Sequence, residues 1–220
     1  TAKPIYTGSL YEIEDGVFKI IAIDGYRMAI RSENVDSESK NRFVVPGKTQ
    51  HEVLKLLTDD EENTEIIIGQ RHITFKIKNY RIISRLIEGT FIEYKSAIPK
   101  ETKTEVVINT RTIIDAVERM SLLNNDRIQS PVRCIFSDDE IKLSCTSAVG
   151  RANDVISVPI IGESVEIGFN NRYLLDALKN ADTDEIKLIL NGSLTAMIVK
   201  PVKGDSYLSI VVPMRLANEN

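Results

Sequence analysis

Apolar and polar positions recur along this chain in one form. Between positions 165 and 178 it reads Val-Glu-Ile-Gly-Phe-Asn-Asn-Arg-Tyr-Leu-Leu-Asp-Ala-Leu, a short alternating stretch, a polar corner and a helical stripe. Asn170 or Asn171 can cap the helix by accepting backbone N–H groups, and Leu174, Leu175 and Leu178 stand at i, i+1 and i+4 on one face. The form appears 61 positions earlier, where Ile113-Ile114-Asp115-Ala116-Val117 answers Leu174-Leu175-Asp176-Ala177-Leu178, with Asn109 and Arg111 in step with Asn170 and Arg172. Phe43-Val44-Val45-Pro46-Gly47-Lys48, followed by Val53-Leu54-Lys55-Leu56-Leu57, has it again. Self-similarity at a fixed period outranks any local signal, because it sets the architecture.

The remaining elements fall around these three corners. Strands are expected at 8–11 and 17–22, joined by Glu14-Asp15-Gly16, then a turn at Asp24-Gly25-Tyr26-Arg27 and a strand at 28–31. A polar loop covers 32–41, an acidic turn follows the first helix at 59–62, and strands are expected at 65–68, 72–77 and 80–84. Residues 86–99 read as irregular, and the charged stretch 100–104 as a domain boundary, giving domains 1–99 and 100–220. Beyond it come a strand and helix over 106–123 and strands at 132–136, 141–146 and 154–158. After the corner at 165–178, strands are expected at 185–190, 194–199 and 207–212. Each half-domain therefore reads strand, helix, strand, strand, strand. This is an α+β chain of repeated β-α-β-β-β units with helices on one side of antiparallel sheets. A second offset of 121 positions, Val53 to Leu174, relates the domains. By that offset the counterpart of 106–123 in the first domain would precede Thr1, so the chain reads as truncated within a domain.

Composition narrows the function classes. With 220 residues, 42% apolar and 27% charged, the sequence predicts a globular, soluble chain of one large or two ordinary domains. No apolar run reaches the roughly 20 residues of a membrane span, and no signal-peptide pattern is present. Cys134 and Cys145 are expected on neighbouring strands as buried thiols in a reducing cytosol, with a disulfide as the alternative. A zinc site is not expected, because His51 and His72 are far from both cysteines and no C-x-x-C or H-x-x-x-H spacing occurs. The net charge of −4 argues against a protein that coats itself in nucleic acid, while leaving room for a local basic face.

Such a face is offered by the helices. Arg172, Asp176 and Lys179 share one side of the last helix, Arg111, Asp115 and Glu118 of the middle one, and Lys48, His51 and Lys55 of the first. These are either solvated faces with internal pairs or a set of cations presented to a polyanion. Catalytic chemistry is not legible: neither histidine has a G-x-S-x-G or H-E-x-x-H context, and Gly168-Phe169-Asn170 lacks the glycine pattern of a phosphate loop.

Ala22-Ile23-Asp24-Gly25-Tyr26-Arg27-Met28-Ala29 resembles the A-T-D-G-H/Y-R-L-A signature of the bacterial sliding-clamp family, the β subunits of DNA polymerase III. Leu86-Ile87-Glu88-Gly89-Thr90-Phe91-Ile92-Glu93-Tyr94 is similar to the family's L-I-D-G-x-F-P-D-Y. Phe169-Asn170, Tyr173-Leu174-Leu175-Asp176-Ala177-Leu178 and Val211-Val212-Pro213-Met214-Arg215-Leu216 complete the set, in family order across nearly the whole chain. The resemblance implies a DNA-clamp (processivity) fold, in which 1–99 is the second clamp domain, incomplete at its N-terminus, and 100–220 the third. It implies a cytoplasmic, non-catalytic processivity factor without cofactor, metal or membrane. Such a factor closes as a head-to-tail homodimer ring round duplex DNA, held topologically and without sequence preference. Lys48, His51, Lys55, Arg111, Arg172 and Lys179 would then face DNA. Weighed without the family, the competing class is a repeat-built protein-binding scaffold with no DNA role.

The family also binds short Gln-containing motifs with hydrophobic ends. They come from the DNA polymerase III catalytic subunit, the clamp loader and repair polymerases, and they enter a pocket between the second and third domains. Matched motif by motif, its wall here would take Gly25, Tyr26, Arg27 and Met28 from the first signature and Asn170 and Tyr173 from the last helix. Leu194 and Ala196 would come from the penultimate strand, and Ile210, Val211, Val212, Pro213, Met214 and Arg215 from the C-terminal segment, with core packing as the alternative for Val211 and Leu216. Lys3, Tyr6, Ile92 and Ile128 are further members. Ser96 and Ala97 stand where the family has larger groups, so that side of the pocket is expected to be wider and less charged.

Overall fold

The computed structural model describes residues 3–58, 63–124 and 130–216, so Ile128 and the expected acidic turn at 59–62 lie outside the described residues. Backbone contacts gather the chain into two units, Thr1–Asp24 with Ile30–Glu93, and Gly25–Ala29 with Tyr94–Asn220. The division falls between Glu93 and Tyr94 and not in the charged stretch 100–104. Tyr94, 2% exposed, opens a 3-10 turn (Tyr94–Ala97), and Thr104, 1% exposed, already opens a strand of the second unit.

In the first unit, β1 (Gly8–Glu14) and β2 (Val17–Ile23) form a hairpin through Asp15 and Gly16, at φ 51° and 73°. Positive φ at both central residues is what a tight hairpin needs, and the Asp-Gly pair tolerates it. With β4 (Asn41–Pro46) and the part of β3 (Arg27–Asn34) from Ile30 onward, the order is β3-β2-β1-β4. β3 runs three residues into the expected polar loop. Val35 N, just past its end, donates to Gly16 O at 2.9 Å, a long-range bond that local composition does not reveal. The helix α1 (Gly47–Leu56) has Pro46 at its N-cap and no side-chain cap. β5 (Glu65–Ile68), β6 (His72–Ile77) and β7 (Tyr80–Arg85) form a second antiparallel sheet. Tyr11, Val45, Val53, Ile73, Phe75 and Ile77 join these elements into one core.

The second unit repeats strand, helix and three strands twice. The first copy is β8 (Thr104–Asn109), α2 (Thr110–Ser121), β9 (Val132–Ser137), β10 (Glu140–Ser147) and β11 (Gly150–Ser157). The other is β13 (Val165–Phe169), α3 (Asn171–Lys179), β14 (Glu185–Leu190), β15 (Met197–Pro201) and β16 (Tyr207–Val211). Between them lies β12 (Ile160–Gly162), which the sequence reading missed because three residues carry no periodicity. It pairs with β8, and Gly162, at φ 111°, comes so close that a Cβ would sit 1.9 Å from Lys103 O, so only glycine fits. The strands form the orders β11-β10-β9-β13 and β12-β8-β14-β15-β16. β15 starts at Met197, so Leu194 and Ala196, expected on a strand, lie in the turn before it, where Gly192 has φ 94°.

Asparagine starts both helices of this unit. Asn109 Oδ1 accepts from Thr112 N at 3.0 Å, and Asn170 Oδ1 from Tyr173 N at 3.2 Å, so of the two candidate caps the second is Asn170. At the other end of α3 the buried Tyr207 hydroxyl, carried on β16, bonds Ala177 O and Ser209 Oγ, which satisfies one of the helix's last carbonyls. Met120, Phe136, Ile167, Phe169, Leu178 and Ile186 are fully buried at the centre of a core shared by both helices and both sheets. Cys134 and Cys145 lie on the neighbouring strands β9 and β10, buried and unpaired. Burial pushes the Cys134 thiol up to about 12 and raises that of Cys145, where a bond from Asn124 acts the other way.

Two outcomes follow. Asn109→Ala should cost about 1 kcal/mol and Asn109→Gly only a few tenths, read as a lower urea midpoint at unchanged slope. Neither cysteine should react with iodoacetamide at pH 8 in the folded chain, because the thiolate is the nucleophile; peptide mass mapping should find both alkylated only after unfolding.

Candidate functional site

Polar and aromatic side chains from two distant pieces of sequence converge on one helix of the second unit. The chain reverses at Gly25, at φ 89°, and delivers Tyr26 and Arg27 to the same neighbour, Tyr173 on α3. Tyr26 stacks on Tyr173 with ring centroids 5.8 Å apart and planes at 21°. The Arg27 guanidinium lies 4.5 Å from the centroid of the same ring. Arg27 also forms an ion pair with Asp176, one turn further along α3. Tyr26 remains 60% exposed, so the stack offers an aromatic wall to solvent.

The C-terminal segment meets the same corner. Val212 N donates to Tyr26 O at 2.9 Å, and Met214 N to Gly168 O at 2.7 Å in an isolated antiparallel bridge. Gly168 permits this approach: a Cβ there would lie 2.6 Å from Leu216 Cδ2 and 3.0 Å from Met214 O. Gly168 stands two residues before the cap Asn170, so the end of β13 sets Met214 and Tyr173 beside one corner of backbone. Val212 is 41% exposed, and Pro213, Met214 and Leu216 are half-buried, which makes this an apolar ridge that water still reaches. A cavity of about 840 Å³ opens beyond it, lined by Arg133, Ser164, Glu166, Ser193 and Leu216 among others. Arg133 and Glu166, on the neighbouring strands β9 and β13 of its wall, pair at 2.9 Å.

The structure thus brings together Gly25, Tyr26, Arg27, Asn170, Tyr173, Val212, Pro213 and Met214, with Arg215 exposed at the end of the segment. Met28, Ile210 and Val211, at 3%, 4% and 0% exposure, back the site from the interior. Val211 is a member of the buried core cluster, and Leu216 packs on Gly168. Leu194 is 85% exposed in its turn and Ala196 half-buried. Ser96 and Ala97 are exposed in the 3-10 turn of the same unit. Lys3, Tyr6 and Ile92 belong to the first unit, where Tyr6 meets Phe91 edge-on at 6.2 Å and Ile92 is 42% exposed. Sequence reasoning missed Asp176, which reads as one more polar position on a helix, because its partner is 149 residues away.

The basic helix positions are exposed, and several are already engaged. Arg111 pairs with Asp115 at 2.8 Å, Lys55 with Glu52 at 2.9 Å, and Lys179 with Glu118 at 2.6 Å, bridging α3 to α2. Hydrogen bonds from Lys55 and Lys179 hold the Glu52 and Glu118 carboxyls below the usual range. Lys48 and His51 lie within electrostatic reach of Glu52. Arg172 is exposed at the first turn of α3. No cluster of His, Cys, Asp and Glu with metal-holding geometry occurs among the described residues, and none of their helices is long and apolar enough to cross a membrane.

Comparison with known proteins agrees with the motifs. Residues 1–93 match the family described as DNA polymerase III beta subunit, central domain, and residues 95–215 the one described as its C-terminal domain. The Beta sliding clamp of Halalkalibacterium halodurans is 30% identical over 220 residues, covering 97% of this chain and 58% of its own length. The crystal structure of the Bacillus subtilis DNA polymerase sliding clamp superposes with a TM-score of 0.94 at 30% identity, over 98% of this chain and 58% of that one. That of a Pseudomonas aeruginosa sliding clamp bound to griselimycin does so with a TM-score of 0.91 at 28% identity, over 98% and 60%. The chain thus spans about three-fifths of the relatives it matches, at their level of fold throughout, and it belongs to the DNA polymerase III beta-subunit, or sliding-clamp, family.

Proposed function

We propose that this chain serves as a sliding clamp: a non-catalytic processivity factor whose assembled homodimer encircles duplex DNA and tethers partner proteins by short peptide motifs. Its two units stand as the second and third clamp domains. The observation that carries the reading is the convergence of Tyr26, Arg27 and Tyr173 with the Val212–Met214 segment. An aromatic wall and a flexible thioether make an adaptable apolar seat, and a few polar groups give a peptide its direction. The partners are the DNA polymerase III catalytic subunit, the clamp loader and repair polymerases. DNA contact is weak and non-specific, since most helix cations are partly neutralised by neighbouring carboxylates and a topological link needs little affinity.

A labelled peptide with a glutamine followed by hydrophobic residues and a terminal phenylalanine should bind the chain with roughly micromolar affinity, about −8 kcal/mol. Met214→Ala should cost about 1–2 kcal/mol by loss of apolar surface. Gly168→Ala should also weaken binding, because the added Cβ displaces Leu216 and Met214. Lys203→Ala, in the exposed turn before β16, should change nothing. Fluorescence anisotropy decides it, and unchanged binding by both Met214→Ala and Tyr173→Ala would remove the site from this place. Griselimycin, bound by the Pseudomonas aeruginosa clamp, is a natural competitor to include.

For DNA, binding by the chain should be weak and should vanish as salt approaches physiological concentration. Charge reversal at Arg172 should cost more of it than reversal at Arg111, which Asp115 already partly neutralises; reversal at Lys48 should fall between. Titrations at several salt concentrations test this, and salt-resistant or sequence-specific binding would contradict it. Peptide binding with no retention of the assembled clamp on DNA would make the protein a scaffold.

A further inference from the structure

We propose that Asp176 is a positioning residue for peptide capture, its carboxylate holding the Arg27 guanidinium across the face of Tyr173 and so fixing the Tyr26–Tyr173 stack. The inference rests on the reading of this corner as the peptide seat and names what keeps the seat formed.

The internal repeat supplies a comparison within one molecule. Arg111 and Asp115 on α2 correspond, 61 positions on, to Arg172 and Asp176 on α3. On α2 the pair closes on itself at i,i+4, at 2.8 Å. On α3 the same spacing is available, yet Asp176 pairs with Arg27, 149 residues away in sequence. Identical local chemistry has been diverted to a long-range partner in one copy only, the copy that carries the aromatic stack.

Position within the helix points the same way. α3 ends at Lys179, so Asp176 stands in its last turn, where the exposed carbonyls disfavour a carboxylate unless a cation answers it. Arg27 is that cation, and the geometry gives it two tasks. Its side chain, 30% exposed, is pinned by Asp176 and lies 4.5 Å from the Tyr173 centroid. Tyr173 then meets both the Arg27 cation and the Tyr26 ring, and the Asn170 cap fixes the start of the helix that carries it. Without the carboxylate, Arg27 loses its charged tie to α3, and the ring contact of a long, hydrated side chain is then held less firmly. An ion pair as exposed as this one contributes little to folding, so its effect on binding can be read separately from stability.

The experiment is a double-mutant cycle on the full chain with the labelled peptide, using anisotropy for affinity and stopped flow for dissociation. Asp176→Asn should weaken binding about tenfold, chiefly through faster dissociation, with the melting temperature nearly unchanged. Arg27→Met should do the same, and adding Asp176→Asn to Arg27→Met should cost nothing further. Asp176→Glu should recover most of the affinity. If Asp176→Asn binds as the parent does while Tyr173→Ala loses the peptide, the positioning role is wrong and the site stands. Additive losses in the double variant would also overturn it. If Tyr173→Ala binds normally too, the site and the inference fall together.

Discussion

A strand that runs directly into a helix leaves the helix's first amides without carbonyl partners, and the second unit depends on how that shortage is met. Asn109 and Asn170 meet it with a side-chain oxygen at the same place in each copy. Because the cap is a single residue, the strand before it and the helix after it are fixed relative to each other. Phe169 is driven into the core on one side of the corner, while Tyr173 emerges half-buried on the other. Gly168, one step further back, leaves room for Met214. The first unit turns its corner with Pro46 and no side-chain cap. There Val53 and Val45 pack in the core, and Gln50 Nε2 of the helix donates to Val45 O of the strand at 2.9 Å.

Much of this was legible because it is local. The asparagine, the leucine stripe and the period of 61 gave both helices of the second unit and the strands around them. Asp-Gly announced the first hairpin. What escaped was set by distant partners or by shortness. β12 exists through Gly162 pressed against Lys103, which no alternation can report. Leu194 alternates with its neighbours as a strand residue would, but the turn at Gly192 consumes that stretch and leaves its side chain in water. Val211 suits core and pocket equally by sequence, and its complete burial is a fact of the packing that no local pattern reports. Asp176 could not be distinguished from Asp115 by any rule that looks four residues along a helix.

The charge distribution also takes its meaning from the fold. A net charge of −4 with 28 basic residues describes neither a DNA-coating protein nor an inert one. On the helices several cations are interleaved with acids that partly neutralise them at close range, so their field is weaker than a count of cations implies.

Tyr207 has a further consequence. Its hydroxyl takes up the Ala177 carbonyl near the end of α3, and four residues later β16 hands over to the segment that reaches Tyr26 and Gly168. The helix is therefore fastened at its start by Asn170 and near its finish by the strand that feeds the site. The piece of backbone that carries Tyr173 is thus braced at both ends by the fold itself. The amides of α3 should therefore rank among the slowest in this unit to exchange with deuterium.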